Sequence, residues 1–180
     1  LVDMLTFDRV DFEKNISTSI KKKVKIESQW ELVKIGDISK EIINGSTPSK
    51  NEYEFWEKRE INWLTVTDFN SNKLEISKTE KFVSKFALES KKVRLVPKNS
   101  VLISCTATIG KVGINTIDLT TNQQINSIVC NENTLPHYLG NILKTYGKSL
   151  EGLTSNSGVK HVNLQMLSNF KIPLPPKEIQ

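Results

Sequence analysis

An α+β fold, with a twisted, mostly antiparallel sheet and short helices, is what this sequence predicts. Short apolar or β-branched runs such as Val101-Leu-Ile-Ser104 and Ile125-Asn-Ser-Ile-Val-Cys130 read as strands. Helical patterns are brief and scattered among them, the mixture expected of an α+β domain. No internal repeat is present, which excludes solenoids and propellers.

Taken in order, Phe7, Val10, Phe12, Ile16 and Ile20 recur at three- and four-residue steps, so an amphipathic helix is expected there, capped by Asp8 or Asp11. Lys21-Lys-Lys-Val-Lys25 reads as a solvated basic linker. Residues 1–28 thus form a helical and linker segment, and a globular unit runs over 29–172. Within it, Trp30 to Ile35 suits a strand or tight entry segment. Gly36 to Asn44 suits a short helix stopped by Asn44-Gly45. A polar loop follows over Gly45-Ser-Thr-Pro-Ser-Lys-Asn51, then a strand at Ile61 to Val66 and a turn at Asp68 to Asn72. Ser84 to Lys92 reads as helical and Val93 to Val96 as extended. Strands are expected at 101–104, at 109–114 and at 125–130. Leu139, Ile142, Leu143 and Tyr146 give His137 to Tyr146 helical spacing, and Val162 to Leu167 reads as a short helix. After Pro175-Pro176, Lys177-Glu-Ile-Gln180 can open a further helix, so 173–180 is assigned to its start. Leu1 and Gln180 both read as cuts through a longer protein.

With 180 residues, 37% hydrophobic and 25% charged, the chain is long enough for one well-cored domain. No run approaches the roughly 18 apolar residues of a membrane span, and no signal segment opens the chain, so a cytoplasmic protein is expected. Two cysteines, Cys105 and Cys130, make no disulfide framework and read as small buried residues. The net charge of +5 leans toward an acidic partner such as a nucleic acid. Eight cations against three acids in Lys73–Lys98 give an excess of five, equal to that of the whole chain. The chain is rich in Lys, Asn and Ile with three arginines, a pattern that an AT-rich genome would also produce.

Several chemistries fail on spacing. Gly110-Lys111 hints at a phosphate loop, but that motif needs Gly where Cys105 stands and Ser or Thr where Val112 stands. Gly110 and Gly113 lack the third glycine of a dinucleotide fingerprint and read as points where a strand bends or a backbone approaches. His137 and His161 pair with no Cys or carboxylate at a metal-ligand spacing. No G-x-S-x-G marks a nucleophilic serine. No metal and no catalytic residue is therefore expected.

What remains is a set of amides, hydroxyls and lysines. Ser46, Thr47, Lys50, Thr65, Thr67, Lys91, Lys92, Thr106, Thr108, Lys111, Asn122, Gln123, Gln124, Ser155, Asn156 and Lys160 are of these kinds, and His161 joins them. Amides can read adenine edges by paired hydrogen bonds, and Lys can contact guanine or phosphate. Taken singly, each of these residues also suits a turn or a solvated surface.

Four stretches in register add to this reading. They are Trp30-Glu-Leu-Val-Lys-Ile-Gly-Asp-Ile38; Gly45-Ser-Thr-Pro48 with Ile61 to Asp68; Ala107-Thr-Ile-Gly-Lys111 followed by Thr121-Asn-Gln-Gln124; and Leu164 to Gln180. Over about 29–180 they resemble the target recognition domain of restriction-modification specificity subunits, the S subunits (HsdS-like) of Type I systems. The resemblance implies a non-catalytic reader of double-stranded DNA, followed by a long spacer helix. It implies partners too: an adenine-N6 methyltransferase subunit or fused domain, which binds S-adenosylmethionine, and in Type I complexes a translocating nuclease subunit. It further implies that the set from Ser46 to His161 supplies the candidate DNA contacts, and that Gly45, Trp63, Gly110 and the 173–176 run are scaffold. Asp8-Arg-Val-Asp-Phe-Glu-Lys14 departs from a free S subunit and looks more like a methyltransferase tail, as in a fused Type I-like or Type IIG chain. Two other classes stay open on the residues alone. One is a protein-interaction module docking through its N-terminal helix and Pro-rich C-terminus; the other is a hydrolase using His161 with Ser157.

Overall fold

Val101-Leu-Ile-Ser104 lies at the centre of the molecule because every one of its side chains is buried. The computed structural model describes residues 28–154 and 160–180. The expected N-terminal helix and basic linker, and candidates Ser155 and Asn156, lie outside them.

The described residues open with β1 (Leu32–Lys34) and a 3-10 turn (Ile35–Ile38), then β2 (Ser39–Asn44). A second 3-10 turn (Tyr53–Phe55) leads to β3 (Ile61–Leu64), and a third (Val66–Asp68) to β4 (Glu75–Ile76) and β5 (Lys81–Val83). Helix α1 (Lys85–Glu89) precedes β6 (Val101–Ser104), β7 (Val112–Asn115), β8 (Thr120–Thr121) and β9 (Ile125–Cys130). Then come α2 (Pro136–Tyr146), a 3-10 stretch (Gly147–Leu153), α3 (Leu164–Asn169) and β10 (Lys171–Pro173).

Among the described residues the strands form a five-stranded sheet ordered β2-β9-β6-β7-β4, a three-stranded sheet β5-β3-β8, and the pair β1-β10. Most neighbours are antiparallel, as expected; β3-β8 and β4-β7 are parallel. Because strand side chains alternate, β6 feeds two cores at once. Val101 and Ile103 pack with Leu139, Ile142 and Leu143 of α2, which carries its apolar residues on one face. Leu102 packs on the opposite side with Leu64, Val96, Leu119 and Ile125. A third cluster joins Phe55, Trp63, Val83, Ala87 and Val93. Each such fully buried Leu or Ile contributes on the order of 1.5–3 kcal/mol of burial energy.

Several expectations need correction. Gly36–Asn44 is not a helix: only Ile35–Ile38 coils, as 3-10, and 39–44 is strand. Pairing of Ile42 with Ile128 and Asn44 with Asn126 satisfies that backbone between strands, overriding the helix propensity of Lys40-Glu41. The strand expected at 109–114 starts only at Val112, since Gly110 has φ of +89° and turns the chain. The short helix expected from Val162 starts at Leu164, where the Asn163 side chain accepts from the Met166 N–H. Apart from these corrections, residues 177–179 form a turn in which the Ile179 and Gln180 amides both donate to Pro176 O, bonding that an opening helical turn would also show. Cys105 is buried, but Cys130 is only half-buried.

Candidate nucleic-acid interface

Parallel pairing of β3 with β8 sets Trp63 beside Thr120 and Leu64 beside Thr121, so both strands exit on the same side. Thr65–Thr67 follows one exit and Asn122–Gln124 the other. The end of β6 meets the start of β9, with Ser104 opposite Ile125, which brings the 105–111 loop to the same edge. The Cys105 amide donates to Gln124 O at 2.7 Å and locks the two loops together. Residues far apart in sequence thus converge because their strands end together.

A groove of about 560 Å³ opens there, lined by Thr47, Lys50, Tyr53, Trp56, Trp63, Thr65, Val66, Thr67, Lys81, Asn122, Gln123 and Gln124. Its wall is aromatic. Trp56 and Trp63 meet edge to face, and their indole N–H groups strap down one loop by donating to Ser49 O and Ser46 O. That loop carries Thr47, whose hydroxyl donates across the groove to Gln123 Oε1. Gly45 lets the loop lie against the β8 exit, where an added Cβ would collide with Asn122 O and Thr121 Oγ1. Ser46 donates to Lys92 O at 2.6 Å, which hangs Lys91 and Lys92, both exposed, beside the loop. Lys111, also exposed, reaches Val66 O at 3.3 Å.

The remaining candidates extend this edge. Thr106 bridges to His161, its hydroxyl 2.8 Å from Nδ1, and the Ala107 amide donates to Lys160 O. Lys160 also pairs with Glu151 at 3.3 Å. Thr108 is exposed at the loop tip, and its carbonyl accepts from Ser104 Oγ.

Two candidates are committed elsewhere. Thr65 is 7% exposed, and its hydroxyl is held by Asp68 Oδ2 and Thr67 Oγ1 in a capped turn. Asn122 is 6% exposed and holds Gln124 by two hydrogen bonds. Both shape the groove from beneath. The sequence reading missed Tyr53, Trp56 and Lys81 as groove residues. Tyr53-Glu-Phe-Trp56, an aromatic cluster in a polar stretch, is the signal that marks two of them.

Burial pushes the Cys105 and Cys130 thiols up to about 11, so neither is a thiolate near neutrality. Among the described residues no three His, Cys, Asp or Glu side chains gather to hold a metal, and no helix is long and apolar enough to cross a membrane. The Pro-rich end belongs to the fold: Pro173 pairs with Leu32, Pro175 is buried, and Gln180 donates to Asn133 O at 2.9 Å.

Fold and groove together define a recognition module, with polar side chains on converging loop ends and an aromatic wall behind them. Residues 27–180 match the family described as the Type I restriction modification DNA specificity domain, and the chain belongs to that family. Membership makes it a specificity domain and not a catalytic one. It is 33% identical over 159 residues to the specificity subunit of the Type I restriction enzyme MjaIX of Methanocaldococcus jannaschii, covering 87% of this chain and 36% of that one. To the EcoR124I/EcoR124II specificity subunit of Escherichia coli it is 29% identical over 155 residues, covering 83% and 37%. The chain thus spans little more than a third of these relatives. Its fold is shared with the HsdS subunit of Thermoanaerobacter tengcongensis, with a TM-score of 0.59 at 17% identity over 87% of this chain and 35% of that one.

Proposed function

We propose that this domain reads a defined sequence in double-stranded DNA for a restriction-modification system. In that role it directs adenine-N6 methylation by a methyltransferase subunit or fused domain, which binds S-adenosylmethionine, and cleavage by a translocating nuclease subunit. The observation that carries the reading is the groove between the loops after β3 and β8, lined by Lys50 and Lys81, with Lys111 of the adjoining loop after β6 bonded to Val66 O.

The physics divides the labour. Lys50, Lys81, Lys91, Lys92, Lys111 and Lys160 neutralise phosphates, an affinity that is indifferent to sequence and falls with salt. Ser46, Thr47, Thr67, Thr106, Thr108, Gln123, Gln124 and His161 approach base edges in the major groove, where each good pair is worth about 1–3 kcal/mol of discrimination. Thr65 and Asn122 support them. The target adenine leaves the stack for the partner's active site, so the bound duplex tolerates distortion.

Titrating duplex binding of the full-length protein from low to physiological salt tests this directly. A steep linear fall in log affinity is expected, and a flat profile sinks the reading. Mapping methylated positions with and without the intact gene tests the biological role. One adenine motif should disappear, and no change in any motif refutes the proposal.

A further inference from the structure

Gln124 sits on the tight turn between β8 and β9 and lines the groove, and among the described residues its side-chain oxygen is engaged while its amide N–H groups are not. The Gln124 backbone N–H donates to Asn122 Oδ1 at 3.1 Å. A backbone N–H cannot accept, so this bond settles which end of the Asn122 amide is oxygen. Asn122 Nδ2 is thereby aimed at Gln124 Oε1, to which it donates at 3.0 Å, and the Gln124 amide is oriented in turn. Asn122 is not free to turn over. It is 6% exposed, and its own backbone N–H donates to Leu64 O at 3.0 Å. No described residue accepts from Gln124 Nε2.

We infer that Gln124 is a specificity-determining residue that donates to an acceptor edge, selecting guanine ahead of thymine and disfavouring adenine and cytosine. The inference rests on the groove being the DNA site. An amide free at both ends suits adenine, giving to N7 and accepting from N6. Gln124 Oε1 keeps a second lone pair, but it is held toward Asn122 Nδ2, so an adenine N6 meets a shared acceptor that has to go on satisfying a buried donor. Guanine asks for nothing in return: its O6 and N7 are both acceptors, side by side. Cytosine presents only its N4 donor in the major groove, which meets the Gln124 donors head on. The neighbouring amide has the same sense, because Thr47 donates to Gln123 Oε1.

Selection of randomised duplex DNA on the full-length protein and two variants tests the inference. Gln124→Glu still offers Asn122 Nδ2 an oxygen and turns a second oxygen toward the groove. One base pair of the selected motif should therefore switch from guanine to cytosine, with relative enrichment changing by roughly ten-fold or more. Asn122→Asp keeps the acceptor for the Gln124 N–H but replaces the outward donor by an acceptor, which turns the Gln124 amide over. The same position should move to adenine or cytosine. A thermal melt checks that each variant folds; Gln124 is only half-buried, so Gln124→Glu carries the test if Asn122→Asp unfolds. A wild-type motif in which no position responds to Gln124→Glu overturns the inference and leaves DNA reading intact. So does a responding position at which the wild type already prefers adenine or cytosine. If the wild-type protein enriches no motif, the DNA reading itself falls, and the inference with it.

Discussion

Trp63 meets Trp56 edge to face with ring centroids 5.1 Å apart at 85°, while its indole N–H holds Ser46 O at 3.1 Å. One side chain therefore fills a core and sets the position of a groove loop. Trp63→Ala is expected to cost about 3–5 kcal/mol, the range for removing a large buried aromatic. Trp63→Phe should cost less, because only the donor and part of the packing are lost. Urea denaturation followed by circular dichroism checks both; a Trp63→Ala midpoint unchanged from wild type would show that the wall carries no stability.

Gly110 combines φ of +89° with a backbone neighbour: an added Cβ would lie 2.7 Å from Lys148 N. Gly110→Ala is expected to destabilise by roughly 1–3 kcal/mol through backbone strain alone. Thermal unfolding of this variant beside Ala107→Gly separates the effects, since Ala107 has φ of +61° and should gain from the change.

Lys111 and Gln123 should fail in different ways. Lys111→Ala is expected to weaken binding to cognate and random duplexes alike and to reduce the salt slope by about 1. Gln123→Ala should relax discrimination at one base pair and leave binding to random DNA unchanged. Equal losses on both kinds of DNA in both variants would contradict the division between phosphate and base contacts.

The two thiols predict an alkaline weakness. Their folded values lie near 11, above the ordinary 9.0, so the folded state disfavours ionisation. Stability from this source is complete below pH 9 and is lost as pH rises toward 11, where the unfolded chain ionises first. Melting temperatures should fall across that window, and Cys105→Ala/Cys130→Ala should flatten the fall. At pH 8 a thiol reagent should label Cys105 at the rate of unfolding; fast labelling in the native state would show that the site is open.

Much of this architecture was legible in the residues. Val101–Ser104 and Ile125–Cys130 are apolar or β-branched runs, and Pro136–Tyr146 carries a clean helical stripe, so local pattern and tertiary role agree. Ser39–Asn44 was misread because Lys-Glu-Ile-Ile favours helix locally, and only its partner strand, more than eighty positions away, decides otherwise. The groove was legible as residue types but not as a place. Thr65 and Asn122 match their exposed neighbours Thr67 and Gln123 in type, yet both are buried, which composition does not reveal. No spacing rule announces that Tyr53 and Gln123 share a cleft, since the parallel β3-β8 pairing that joins them is long-range.

The pairing of β1 with β10 carries a consequence for biosynthesis. Val33 has to wait for Ile172 before its strand has a partner, and Ile35 waits for the Phe170 carbonyl. A chain still emerging from the ribosome can assemble its central sheet but cannot close this seam until nearly the whole domain is made. Such distant closure slows folding, because the entropy of the loop is spent before the contact repays it. A translation product halted before residue 170 would keep the groove loops but leave β1 without its partner strand, which exposes that edge to proteases.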